Sequence, residues 1–279
     1  MLPTGSGETC VTLIDMPGFT DGDFSGSSSG TFIEIAGELV GTYKQNRKLS
    51  GVIYFHRITG RLDESRLRMF RELCGGDSGV LKNLVFATSR WDLEISEVGV
   101  KRQTELENYF RFQKPFGREG YRIRRFDGTA ESALELIRLV IPNAPQPLRI
   151  QREIVDENKP LLKTAAGRSV EEGIHKARRR WEKSLPSLME EMQLALQMRD
   201  KDMQKSCEVE FKRYLDAVEQ LDNELARLRA AEVEGFEEKI TVGADQEQKR
   251  QKPVPEKPQE HTEARGKLLD FLDLIPIIV

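Results

Sequence analysis

Cysteine and histidine are scarce, three of each in 279 residues, and that scarcity removes whole classes of chemistry. Cys10, Cys74 and Cys207 are odd in number, far apart and free of any Cys-x-x-Cys pair, which excludes a disulfide framework and a zinc site as organising elements. A reducing, cytoplasmic setting is the expectation. No run of about 18 apolar residues exists and no basic, then apolar leader opens the chain, so neither a membrane span nor secretion is expected. Residues 268–279 are apolar but short and carry Asp270 and Asp273, which fits a docking segment or an unpacked tail. Charge of one sign is missing as well: a net charge of -3 gives no bias toward nucleic acid, and no nucleic-acid partner is expected.

What is present divides into two compositions. Up to about residue 145, short β-branched runs alternate with helical periods, the pattern of βα units feeding a mostly parallel sheet. Strands are expected over residues 11–14, 51–56, 83–88 and 121–126, the second and third apolar enough to be covered on both faces. Phe32, Ile35, Ala36, Leu39, Val40 and Tyr43 make one stripe of a helix over residues 31–48. Leu67, Phe70 and Leu73 do so over 63–74, with Gly75-Gly76 as the stop. Further helices are expected over 97–112 and 130–140, the last ending before Pro142.

Pro145 and Pro147 mark a linker, beyond which charged helix formers dominate. A capping box, Ser169-Val-Glu-Glu172, opens a helix toward Trp181, and Pro186 is expected to break it near Leu188. Cys207, Phe211, Tyr214, Val218, Leu221, Leu225 and Leu228 then alternate steps of four and three, a heptad seam. The seam predicts helix pairing, within the chain or by self-association. The basic run from His175 to Arg180 lies among acidic neighbours and reads as a solvated helix face. Residues 241–279 read as a disordered linker with an apolar end. The expected units are therefore 1–145, a sheet domain; 146–240, a helical extension; and 241–279.

Two strings stand out. Val11-Thr-Leu-Ile-Asp15-Met-Pro17-Gly18-Phe19 carries an aspartate at a strand tip followed by a tight turn. Thr88-Ser89-Arg90-Trp91-Asp92 ends the third strand with polar side chains. Each has a plainer reading: Asp15 accepting turn amides, and Ser89 or Asp92 starting a helix. Phe126-Asp127-Gly128-Thr129 closes the last strand, where Asp127 or Thr129 is equally at home as a helix N-cap.

The order and wording of these strings resemble the septin-like and immunity-associated branch of the P-loop GTPases (TRAFAC class), particularly its fungal G-domain members. Residues 51–58 and 70–75 are similar to that group too, and the likeness covers about residues 10–140. It implies an α/β fold: an incomplete P-loop NTPase-type, doubly wound, mostly parallel sheet, followed by a coiled-coil-like helical extension. It also implies GTP or GDP as ligand and Mg2+ as cofactor, with Asp15 holding the metal through water. Pro17 and Gly18 would line the phosphates, Ser89, Arg90 and Asp92 would face guanine, and Asp127 would brace the base.

The family's phosphate loop, Gly-x-x-x-x-Gly-Lys-Ser/Thr, is not in this sequence, so the domain reads as N-terminally truncated. Thr4-Gly-Ser-Gly-Glu-Thr9 has glutamate where the lysine belongs and leads into a strand, and it reads as a hairpin turn. Without the cationic lysine and the amide nest, phosphate binding should fall by several kcal/mol. Phe19 stands where many GTPases orient water with glutamine, so no catalytic residue is assigned. The loop over residues 21–30 reads as the switch segment. Two functions follow: a GTP-binding protein with impaired or lost binding, or a non-enzymatic coiled-coil scaffold with a relic G domain.

Overall fold

The structure is a computed structural model that describes residues 2–4, 7–9, 11–18, 28–75, 83–113, 121–233 and 277–278. Strand β1 (Leu2–Thr4) pairs antiparallel with β2 (Gly7–Thr9), Leu2 opposite Thr9, which is the expected hairpin. β3 (Ile14–Asp15) is shorter and later than expected, and the preceding Thr12 and Leu13 are exposed. Helix α1 (Ser28–Lys44) buries Phe32, Ile35, Ala36, Leu39 and Val40, as its stripe requires. β4 (Val52–Arg57) leads to α2 (Glu64–Cys74), whose first turn is held by Asp63 accepting from the amides of Ser65 (2.8 Å) and Arg66 (3.2 Å). Gly75, at φ 100°, ends α2 where few side chains could follow.

β5 (Leu84–Ser89) is buried at every residue, and α3 (Ser96–Gln113) follows a single 3-10 turn. β6 (Tyr121–Arg125) runs into α4 (Ala130–Val140), capped by the Thr129 hydroxyl. Three residues of α5 (Arg149–Gln151) continue as a π-turn through Asp156. Two long helices complete the chain, α6 (Ala165–Met198) and α7 (Lys201–Val233), and a last strand β7 (Ile277–Ile278) returns to the sheet.

The architecture is α/β: β4, β5 and β6 form a three-stranded parallel sheet within a mostly helical chain. The full order is β3-β7-β4-β5-β6, with β7 antiparallel to both of its neighbours. Side chains alternate as the pleat demands. Val52, Leu84 and Phe86 join the larger core with α1, α2 and α3, whereas Ile53, Val85 and Ala87 join Leu136 and Val140 of α4 on the other face.

The helical region does not stand apart from the sheet. Leu148, Ile150, Leu161, Leu162, Val170 and Ile174, with Leu221, Leu225 and Leu228, belong to the same core as Phe32 and Phe86. Buried polar groups fasten it. Gln151 accepts from the Leu148 amide (2.7 Å) and donates to the Leu39 carbonyl (2.7 Å). Glu153 accepts from the Ala165 amide (3.0 Å) and pairs with Lys159 (3.2 Å). Glu224 of α7 accepts from the Ser29 amide (2.7 Å) and also from the Ser29 hydroxyl, so a residue 195 positions away caps α1.

Pro186 does not break α6, which runs 34 residues through it. The ring is exposed, and pairing with α7 holds the long helix straight enough to absorb one missing bond. The stop comes at Arg199 (φ 52°): its amide meets the Leu196 carbonyl (3.2 Å) and the Asp200 amide meets Ala195 (3.0 Å), a Schellman closure. Asp200 then caps α7, accepting from Asp202 and Met203, both 3.0 Å. The seam of α7 packs within the chain: Leu221, Leu225 and Leu228 are buried, whereas Phe211 stays 39% exposed. Phe19, most of the loop over 21–30 and residues 241–276 lie outside the described residues.

Candidate functional site: the carboxyl edge of the parallel strands

β3 and β4 both run antiparallel to β7, so they are parallel to each other, and β4, β5 and β6 are parallel in turn. All four therefore end at one edge, the edge where open α/β sheets carry their ligands. Asp15 ends β3 and Ser89 ends β5, three strand positions away, about 14 Å at the usual strand spacing. Asp15 is exposed, and Pro17 and Gly18 are half-buried beyond it.

At the β5 tip, Ser89 is 2% exposed and its hydroxyl has no hydrogen-bond partner among the described residues. Such a group costs about 1–3 kcal/mol wherever it stays unmet. Arg90 sits in the left-handed region (φ 59°), which turns the chain so that Trp91–Leu93 form one 3-10 turn and Asp92 faces solvent. Trp91 fixes that turn. Its indole N–H donates to the Thr88 carbonyl (3.0 Å) and lies within reach of the Thr88 hydroxyl (3.2 Å). Arg125 stacks 4.2 Å above the ring, and a Cβ on Gly99 would come within 3.1 Å of it, so α3 closes on the indole because that residue is glycine.

Asp127 follows β6 beside this turn, where the Phe126 amide donates to Thr88 (2.8 Å). Its carboxylate is engaged in the start of α4. Hydrogen bonds from Ser132 and from the Thr129 hydroxyl and amide hold it down at a pKa of about 2. Asp127 thus supports the loop next to Ser89 rather than presenting a free carboxylate to a ligand.

The phosphate end is different. Among the described residues no group of three or more His, Cys, Asp or Glu side chains is placed to hold a metal ion. Between β3 and β4 lies β7, running the opposite way, so at the carboxyl edge this strand begins rather than ends. No strand-to-helix turn can leave from it there to aim amides at a phosphate. The β5 tip thus presents polar side chains at the carboxyl edge, whereas at the place between β3 and β4 no strand ends there to lead into a helix start.

Sequence reasoning passed over two features. One is the Trp91–Arg125 stack, invisible because Trp91 lies in the turn after β5 and Arg125 at the end of β6. The other is a cavity of about 970 Å³ between the first turn of α2 and α6, lined by Arg61, Arg66, Lys176, Arg180 and Trp181. Lys176 and Arg180, four residues apart on one helical face, were its one sequence signal. Cys74 is buried, which pushes its thiol well above the usual range and makes it inert. No protein-family model, curated protein or solved structure matches this chain. Among the described residues no helix is long and apolar enough to cross a membrane.

Proposed function

We propose that this chain is a cytoplasmic GTPase-like protein in which the base-reading edge persists and the phosphate cradle does not. It takes guanine nucleosides weakly and does not hydrolyse GTP. The observation that carries this reading is the β5 tip: a buried Ser89 hydroxyl lacking a partner, beside the exposed carboxylate of Asp92, at the carboxyl edge of parallel strands. A carboxylate there can accept two donors from the guanine edge, and the Arg90 methylenes can lie along the ring. Asp15, Pro17 and Gly18 mark where phosphates and Mg2+ would lie in a complete relative.

Calorimetry with guanosine, GDP, GTP and ATP tests it. Guanosine and GTP should bind alike, at about millimolar, with no gain from Mg2+, and Asp92→Asn should weaken both at least about tenfold. Silence with guanosine at millimolar concentration would end the reading. Binding of Mg2+-GTP tenfold tighter than guanosine would show that a phosphate cradle is present after all.

The second reading, a helical interaction protein, has its own support. Met189, Leu196, Phe211 and Leu215 are 39–57% exposed on the outer halves of α6 and α7, where self-association or a partner helix would bury them.

A further inference from the structure

The strand order leaves one position in the sheet that no βα unit fills. β3 and β4 are joined by α1, run parallel, and lie two strand positions apart, about 10 Å. The place between them is bordered by peptide groups on both sides, Ile14 and Asp15 on one and Val52 and Ile53 on the other. With β7 in place Val52 and Ile53 are each 2% exposed, and the peptide groups they turn toward the gap are met by the backbone of β7. The gap therefore demands an extended segment, and its flanks say which kind. Ile14 packs against the larger core and Val52 lies in it, whereas Ile53 lies in the smaller one, so the flanking strands carry apolar residues on both faces.

Ile277 and Ile278 meet that demand in this chain, pairing Ile278 with Ile14 and Val52, and Ile277 with Asp15 and Ile53. Among the described residues the ladder is two residues deep on each side. The occupant also runs against the direction of β4, β5 and β6, as a returning segment does and a βα crossover does not.

We propose that the gap between β3 and β4 is a strand-acceptor site for an extended, β-branched apolar segment. Its occupant in cis is Ile277–Ile278, and the same kind of segment supplied in trans exchanges with it. So shallow a ladder holds its strand by local concentration more than by affinity, which is what makes exchange feasible. The inference is independent of any nucleotide.

A fluorescent peptide with the sequence of residues 268–279 is the probe, followed by polarisation against the full chain. The variant Ile277→Asp with Ile278→Asp disfavours the cis strand and should bind the peptide at least about tenfold more tightly than wild type does, because cis competition is gone. A peptide carrying the same two aspartates should not bind. Equal binding to variant and wild type, or none to a folded variant, overturns the proposal. If the aspartate variant loses its fold, Ile14→Cys with Ile278→Cys decides instead, since these residues face each other in register. An intrachain disulfide that excess tail peptide suppresses supports exchange; no disulfide, or one indifferent to the peptide, overturns it.

Discussion

A methyl group at position 167 would sit 2.1 Å from the Leu161 carbonyl oxygen, closer than any real contact. Gly167 lies in the first turn of α6, where its amide donates to the capping Thr164 hydroxyl (3.0 Å), so helix and preceding turn meet backbone to backbone. Gly167→Ala should lower stability by about 2 kcal/mol, the overpacking cost outweighing alanine's better helix propensity, and urea unfolding checks it. An unchanged or raised midpoint would show that the turn yields freely. At this scale the sequence was legible where a residue acts on its neighbours. Asp63 as a cap and Gly75 as a stop are local chemistry. Gln151, Glu153 and Glu224 were illegible for the opposite reason. Glutamate and glutamine are mostly exposed residues, and their burial here depends on partners 112, 12 and 195 positions away.

Among elements, α6 shows a local rule outvoted. Proline inside a helix costs about 3 kcal/mol relative to alanine, yet α6 continues through Pro186 because α7 holds it. Replacing Pro186 with alanine should therefore raise the melting temperature, by up to the equivalent of that cost. A lower melting temperature would mean the ring makes a packing contact worth more than the lost hydrogen bond. The true turn at Arg199 and Asp200 had a sequence signal, an aspartate ahead of a helical run, but proline is the louder punctuation. The runs of β4 and β5 announced two covered faces; β5 is buried throughout, whereas β4 is buried at Val52 and Ile53 and half-buried from Tyr54 to Arg57. β7 escaped notice because two residues cannot display a period.

For the whole molecule, the change of composition near residue 145 suggested a boundary that the core does not respect. α5, α6 and α7 bury their apolar residues with α1, α2 and the sheet. Residues 1–145 expressed alone should therefore lack a cooperative thermal transition, whereas the 279-residue chain should show one. A cooperative transition in the shorter piece would restore the boundary. The candidate site was legible as strings because strand tips are written locally in sequence. That its two ends differ, β7 beginning at the edge where its neighbours end, is a matter of strand direction, which no string records.

The Glu224–Ser29 contact also sets an order of events during synthesis. α1 is made well before α7, and the groups at its start are met by a residue emerging 195 positions later. Until then the helix has only its own weak propensity and a partial core to hold it. A nascent chain must therefore carry an incomplete sheet domain until α7 has emerged, with apolar faces of α1 and α2 open to chaperones and to other nascent chains.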